Sequence, residues 1–383
     1  MRLKIGLVEL APDTTGGAAT YGRAMRHILR EVCEELDFDL VRLVHDKNRD
    51  HIAGIDDSVI SYRKWAPKPR QNLLVRLWMR IRGPGESSAP DSLPQVLVRE
   101  KVDLVWFLAP NRVIDQVRDT PFVMTVWDLA HREVQGFPEF NLGRGWAQRE
   151  SWYTQNIGRA FHVATDSTHT GKSLERIYGL YPHSWSAVGL PFPPEIDIDD
   201  SRANEIDSPY FYYPASFWPH KNHKILIDAL ALLDDNLPCL VFTGTNEGME
   251  DKLRGYARGK GLESRVKFLG RVTDAQVQGL ISGSVAVVMP SMLGPTNYPP
   301  LEALNLGTPA LISTAHHFDN HDLPLTFVDP LDPLAWSEGI ARVLAKKSDT
   351  PKSPDLRENS GSKDKVDAIL RNFRRLHEMR LGD

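Results

Sequence analysis

Three stretches put chemically capable residues where a strand hands over to a helix. In "YPASFWPHKNHKILIDAL" (213–230), Trp218-Pro219 turns the chain, and His220, Lys221 and His223 cluster at a predicted helix start. Cations are disfavoured at that end of the helix dipole. A bound anion relieves the conflict, because Lys221 and the free helix N–H groups then serve the same charge. A solvated basic turn with Asn222 as N-cap is the plain alternative. In "LAPDTTGGAATYGRAM" (10–25), Gly16 and Gly17 precede a helix beginning near Ala18. Glycine lets the backbone approach closely, and the helix start offers N–H groups to phosphate; an ordinary strand–helix turn has the same composition. In "PSMLGPTNYPPLEALNLGTPALIS" (290–313), Gly-Pro-Thr-Asn-Tyr-Pro-Pro is longer than a turn requires and reads as a rigid loop before a short helix. Pro299 or Pro300 suits the first helical turn, with Glu302 inside it.

The elements that must position these residues alternate along nearly the whole chain. Apolar runs predict strands at 3–10, 39–45, 103–109, 122–128 and 161–166, then at 210–216, 239–244, 266–270, 285–290, 309–313 and 325–329. Between them lie stretches with apolar residues three and four apart, such as "NHKILIDALALL" (222–233), as a helix requires. Near-continuous apolar strands separated by helices indicate parallel sheets covered on both faces. The run "PPEIDIDDSRANEIDSP" (193–209), with six acids and three prolines, breaks the rhythm and reads as a linker between two doubly wound domains. Residues 1–195 and 208–350 are the expected domains, and 362–383 reads as a lone amphipathic helix after them. Ligands of such sheets bind beyond the carboxyl ends of the strands. Glu302 would there face a cleft, where it either complements the helix dipole or accepts hydrogen bonds from sugar hydroxyls.

At 383 residues the chain is too long for one ordinary core. Its 41% hydrophobic and 25% charged residues describe a soluble globular protein, and a net charge of −4 argues against a nucleic-acid binder. Cys33 and Cys239 read as buried free thiols of a reducing compartment. "MRLKIGLVELAP" is too short an apolar run for a signal peptide, and no window approaches a membrane span, so a cytoplasmic protein is expected. The glycine loop is neither G-x-G-x-x-G nor a P-loop, which disfavours a nicotinamide dehydrogenase.

Together the runs "GGAATY", "PASFWPHKNH" and "PS…GPTNYPPLEALNLGTPALIS" resemble the retaining glycosyltransferases of the GT-B fold, specifically glycosyltransferase family 4. "TVWDLAHREVQGFPEF" (125–140), "ATDSTHTGKSLERIYGL" (164–180) and "FVDPLDPLAWSEGIARVL" (327–344) extend the resemblance, in order, over almost the whole chain. It implies two Rossmann-like domains facing across a cleft, with a nucleoside diphosphate sugar as donor substrate and no cofactor. The second domain would hold most of the donor and the first the acceptor.

By that resemblance Glu302 is the second glutamate of an E-x7-E motif and holds the donor ribose, while Lys221 binds the diphosphate. Gly16 and Gly17 form the glycine loop near the phosphates. Thr296, Asn297 and Tyr298 offer backbone contacts to phosphate and sugar, and Arg271 stands where the base is contacted. Ser216, Thr243 and Gly244 complete the implied donor set. Asp128 and His131 line the loop suited to a supporting catalytic role. Three positions depart from the pattern: Gly294 replaces the first glutamate, Trp127 replaces the histidine of "T-x-H-D-L", and Ala215 or Ser216 replaces an arginine. His220 is expected to make up part of that lost phosphate charge.

No metal is expected. Asp197-Ile198-Asp199 has D-x-D form but falls in the linker and reads as solvated, and "HHFDNHD" (316–322) reads as a polar loop. Between Tyr62 and Gly85 seven Lys or Arg residues occur without an acid, and "NLLVRLWMRIR" sets Leu73, Leu74, Leu77, Trp78 and Ile81 on one helical face. That composition suits either an anionic membrane surface or packing on the first domain. The sequence thus predicts a metal-independent transfer of a sugar to a glycan or lipid-linked acceptor, without nucleic acid, in bacterial cell-surface polysaccharide synthesis. A nucleotide-sugar epimerase or an inactive nucleotide-sugar-binding subunit are the alternatives.

Overall fold

The computed structural model describes residues 2–9, 16–45, 59–62, 91–141, 145–192, 197–234, 238–293, 298–319, 322–345 and 361–381. Two wholly parallel sheets account for the strands. The first contains β1 (Lys4–Val8), β2 (Asp39–His45), β3 (Val59–Tyr62), β4 (Leu104–Phe107), β5 (Phe122–Val126), β6 (His162–Thr165) and β7 (Trp185–Ala187), in the order β3-β2-β1-β4-β5-β6-β7. The second contains β8 (Tyr210–Pro214), β9 (Cys239–Thr243), β10 (Val266–Phe268), β11 (Ala286–Met289), β12 (Ala310–Ser313) and β13 (Thr326–Val328), in the order β10-β9-β8-β11-β12-β13. In each sheet the winding direction reverses once, beside β1 and beside β8, and ligand crevices open at such reversals.

Burial explains why these segments are strands. Every residue of β4, β5, β6, β9, β11 and β12 is buried, as their unbroken apolar runs require. The expected strands are all present, each trimmed at its ends except 39–45. Two further strands escaped the sequence pattern. β3 ("VISY") and β7 ("WSA") are short edge strands, half-buried along most of their length, and lack a long apolar run.

The acidic run keeps its carboxylates in solvent, as expected, with Asp197, Asp200, Glu205 and Asp207 exposed, but its backbone touches the second domain. Asp199 N donates to Ala275 O at 3.0 Å, and a Cβ on Gly279 would stand 2.2 Å from Asp199 O. The segment after residue 197 therefore lies directly on helix Asp274–Ser282. Helix Ser362–Leu381 returns to the first domain. Its Val366, Ile369, Leu370 and Phe373 share a core with Met25, Leu29 and Val32 of helix Gly17–Glu35, and Ser362 Oγ donates to Val188 O at 2.6 Å. That same core receives Tyr298, Leu301 and Leu304 of helix Tyr298–Asn305, so the helix carrying Glu302 is wedged between the domains.

Candidate active site

The glycine loop after β1 does what its composition requires. Gly16 has φ of 68°, a conformation other residues adopt only under strain, and helix Gly17–Glu35 begins behind it with no acidic residue in its first turn. Gly16 has no side chain to cap the helix, so its first N–H groups stay open to an anion. Gly16, Gly17, Thr20 and Arg23 form one wall of a cavity of about 370 Å³, and Gln278, Tyr298 and Glu302 of the second domain form the other. Arg23 closes it across the domains, with Nη2 2.8 Å from Asp274 Oδ2. Asp197, exposed as the sequence reading expected, stands at the edge of this cavity.

Glu302 is buried, and burial together with the nearby Asp274 carboxylate pushes its pKa up to about 7. A hydrogen bond from Gln278 opposes the shift. Glu302 is therefore a carboxyl group held near the boundary of ionisation, facing a cavity. Hydroxyl donors placed there would supply the hydrogen bonds that its charged form lacks.

Lys221 ends the 3-10 turn Pro219–Lys221 that follows β8. Asn222, in left-handed conformation at φ of 55°, donates to Pro330 O at 2.7 Å and Pro290 O at 3.4 Å. It thus ties the turn to the loops after β13 and β11 rather than capping the next helix with its side chain. Burial pushes the Lys221 pKa down to about 8, and only the field of Asp128 counters it. No carboxylate pairs with this ammonium among the described residues.

The neighbouring histidines behave otherwise. His220 is already engaged by a carboxylate of the first domain. Glu139 of the first domain accepts from its backbone N at 3.0 Å and binds Nδ1 at 2.6 Å. Burial and the Lys221 ammonium hold the imidazole below its usual range. His223 is a core residue among Tyr213, Phe217 and Phe242, with its pKa pushed down to about 3 by burial.

His131 is likewise corrected. Its ring is fully buried, stacked on Tyr153 at 5.3 Å, with Nε2 3.1 Å from Glu150, and it lines none of the described cavities. Asp128, by contrast, lines two cavities at the end of β5, and its Oδ1 accepts from Ala130 N at 2.8 Å. One of the two, about 200 Å³, lies in the cleft, where Asp128, Asp166 and His169 of the first domain meet Met292, Ala315 and His317 of the second. Burial raises Asp166 there to about 7.

The remaining donor residues divide. Thr243 is buried with its hydroxyl 2.7 Å from that of Tyr212, so its side chain is spent inside the fold. Gly244 has a packing role, since a Cβ would stand 2.3 Å from Ala215 O. Ser216 Oγ accepts from Thr245 Oγ1 at 2.8 Å, and Arg271 is exposed and lines no described cavity. Tyr298 donates its hydroxyl to Pro191 O at 2.7 Å and anchors the Glu302 helix to the first domain. Gly294, Thr296, Asn297 and the basic stretch 63–90 lie outside the described residues. Among those described, no helix is long and apolar enough to cross a membrane, and no group of three or more His, Cys, Asp or Glu residues is arranged to hold a metal ion.

The polar loop after β12 is an interdomain clasp. Asp319 accepts from Thr168 N at 2.9 and 3.0 Å and from its hydroxyl at 3.0 Å, capping helix Thr168–Tyr178 of the other domain. His317 stacks on His169 at 3.8 Å. Glu139, Arg23, Asp274 and Asp319 were all missed in the sequence, because each acts through a partner far along the chain.

Comparison with known proteins agrees with this arrangement. Residues 196–362, in the second half of the chain, match the family model described as Glycosyl transferases group 1. Over 192 residues the chain is 24% identical to the O-antigen chain mannosyltransferase RfbU of Salmonella typhimurium, a match covering 49% of this chain and 52% of that protein. The chain thus spans about half the length of the curated relatives it matches. Among solved structures, Anabaena Alr3699/HepE in complex with UDP and glucose superposes with a TM-score of 0.64 at 16% identity, covering 100% of both chains. Sucrose-phosphate synthase from Thermosynechococcus elongatus gives a TM-score of 0.67 at 18% identity, again covering 100% of both. At such identities the likeness is one of fold, and the fold is GT-B, two parallel-sheet α/β domains facing across a cleft.

Proposed function

We propose that the chain is a retaining, metal-independent family 4 glycosyltransferase. It moves a sugar from a nucleoside diphosphate sugar to a hydroxyl of a glycan or lipid-linked acceptor in cell-surface polysaccharide synthesis. The observation that carries this reading is the cavity joining the uncapped helix start at Gly16–Gly17 to Glu302, with the uncompensated Lys221 ammonium on the same side of the second sheet. An anion acceptor and a buried hydroxyl acceptor at the carboxyl ends of two facing sheets match the diphosphate and ribose of one ligand. The O-antigen mannosyltransferase relative and the UDP complex of the Anabaena protein support the donor class and the polysaccharide setting.

In the proposed transfer the bond between the sugar's anomeric carbon and the diphosphate oxygen breaks, a bond to the acceptor oxygen forms on the same face, and the acceptor's hydroxyl proton passes to the departing diphosphate. Negative charge gathers on the departing diphosphate. Lys221 and the N–H groups opening helix Gly17–Glu35 are fixed before the reaction to meet it, which lowers the barrier without reorganisation. Glu302 orients the ribose through its hydroxyls, and Asp128 contributes its field beside Lys221. No nucleophile is assigned.

The test is a thermal-shift screen against UDP, GDP, ADP, dTDP and CMP, with and without EDTA. A ligand that binds only the folded chain raises the midpoint by mass action. One nucleotide should stabilise the wild type, regardless of EDTA, and stabilise Lys221→Ala and Glu302→Ala much less. No shift with any nucleotide would overturn the donor site.

A further inference from the structure

A second cavity, about 480 Å³, lies wholly in the first domain, beyond the ends of β4 and β5 and against helix Gly145–Asn156. Arg112, Trp127, Asp128, Gln148, Arg149 and Trp152 line it. We propose that this cavity takes a sugar unit bearing a negative charge, a carboxylate or a phosphate, as the acceptor's reacting end. Its role as an acceptor site rests on the glycosyl-transfer reading above; its preference for an anion does not.

The charge balance carries the argument. Arg112 Nη2 donates to Gln148 Oε1 at 2.9 Å, a neutral amide, and no carboxylate pairs with Arg112 among the described residues. Arg149 reaches Asp128 Oδ1 only at 3.4 Å, longer than a good charge-assisted hydrogen bond, and that oxygen already serves Ala130 N. Of the two guanidinium groups, only Arg149 has a carboxylate partner among the described residues, and that one is distant. Nearby, Arg132 is handled differently, since both its Nε and Nη2 are held by Glu150. The chain supplies counter-ions to its structural arginine here and leaves the cavity pair underfilled.

The remaining lining suits a sugar. Trp127 and Trp152 give the lining apolar surface suited to the C–H side of a pyranose ring, and Gln148 and Asp128 add polar groups for its hydroxyls. Phe140 lies 5.6 Å beneath the Arg149 guanidinium and restrains it, while Gln148 restrains Arg112. A restrained guanidinium fork recognises a carboxylate or phosphate through paired N–H groups. A cavity of several hundred Å³ is ample for one or two sugar units. Trp127 and Asp128 also line the cleft cavity beside Met292 and Ala315, so the two cavities adjoin across these residues.

The test titrates glucuronate, glucose 6-phosphate and glucose into the full chain, following tryptophan fluorescence and saturation-transfer NMR. At least one anionic sugar should bind about tenfold or more tightly than glucose, and which one does so identifies the carboxylate or the phosphate. Arg112→Gln should reduce the preference, and Arg112→Gln/Arg149→Gln should bring it within about twofold of glucose, with an unchanged thermal midpoint. Arg258→Gln, on an exposed helix of the second domain, should leave it intact. The preference must also persist in Lys221→Ala, which separates it from phosphate binding at the donor site. Equal binding of all three sugars, or a preference surviving in the double variant, would overturn the proposal. Failure of the nucleotide screen would leave this result standing and remove only the acceptor role.

Discussion

Replacing Glu302 by glutamine should stabilise the protein at alkaline pH while weakening its hold on nucleotide. The carboxyl has an ordinary value of 4.5 and is pushed to about 7 in the fold by burial and by Asp274. Between those values the folded chain keeps a proton that the unfolded chain releases. Stability therefore falls as pH rises through the window from about 4.5 to about 7, and the loss is complete above it. At about 1.4 kcal/mol per unit, this amounts to about 2.5 kcal/mol between pH 5 and pH 8. Glutamine has no such proton, and the other titrating groups are common to both proteins. Urea unfolding of wild type and Glu302→Gln at pH 5 and pH 8 isolates the effect as the change in their difference. The glutamine variant should gain on the wild type by about 2.5 kcal/mol over that interval. A difference independent of pH would mean that Glu302 is ionised in the fold, and the account of its burial would be wrong. Binding supplies the opposite sign. Ribose hydroxyls donate to the ionised carboxylate, so nucleotide affinity in the wild type should rise with pH up to about 7, and in Glu302→Gln it should be lower and flat.

Three further outcomes follow from single contacts. Because burial lowers Lys221 to about 8, the affinity for a nucleoside diphosphate should fall once pH passes that value, and calorimetric titration of Lys221→Ala should lack this limb. Asp319→Ala removes the cap that one domain places on a helix of the other, and thermal unfolding should register a loss of about 1 kcal/mol that Asp319→Asn partly restores. Gly244→Ala would force a Cβ to 2.3 Å from Ala215 O at a φ of 153°, so urea unfolding should show a loss of at least about 2 kcal/mol.

Strands such as β5 and β9 were legible in the sequence because both faces are covered, which leaves an unbroken apolar run for the pattern to find. β3 and β7 were not, because an edge strand can be short and need not be buried throughout. The acidic run is solvated as its composition says, with no buried residue from 197 to 207, but its one backbone contact at Asp199 was not legible. Only Gly279, which leaves room for the Asp199 backbone against a helix, betrays that contact.

The site was legible to the extent that its chemistry is local. Gly16–Gly17 and the turn at Lys221 announce themselves because a strand end, a turn and a helix start adjoin in sequence. What sequence does not display is whether a polar side chain is already engaged. His131 has the chemistry of a catalytic group, yet stacking on Tyr153 and a bond to Glu150 bury it in the wall behind the cleft. His220 and Lys221 make the point most directly. They are adjacent, both basic and both partly or wholly withdrawn from water, and the same reading applied to each. Glu139, on the other domain and 81 residues away, takes up the imidazole, and among the described residues nothing comparable reaches the ammonium. The difference between a spent cation and an available one is therefore a property of how the two domains meet.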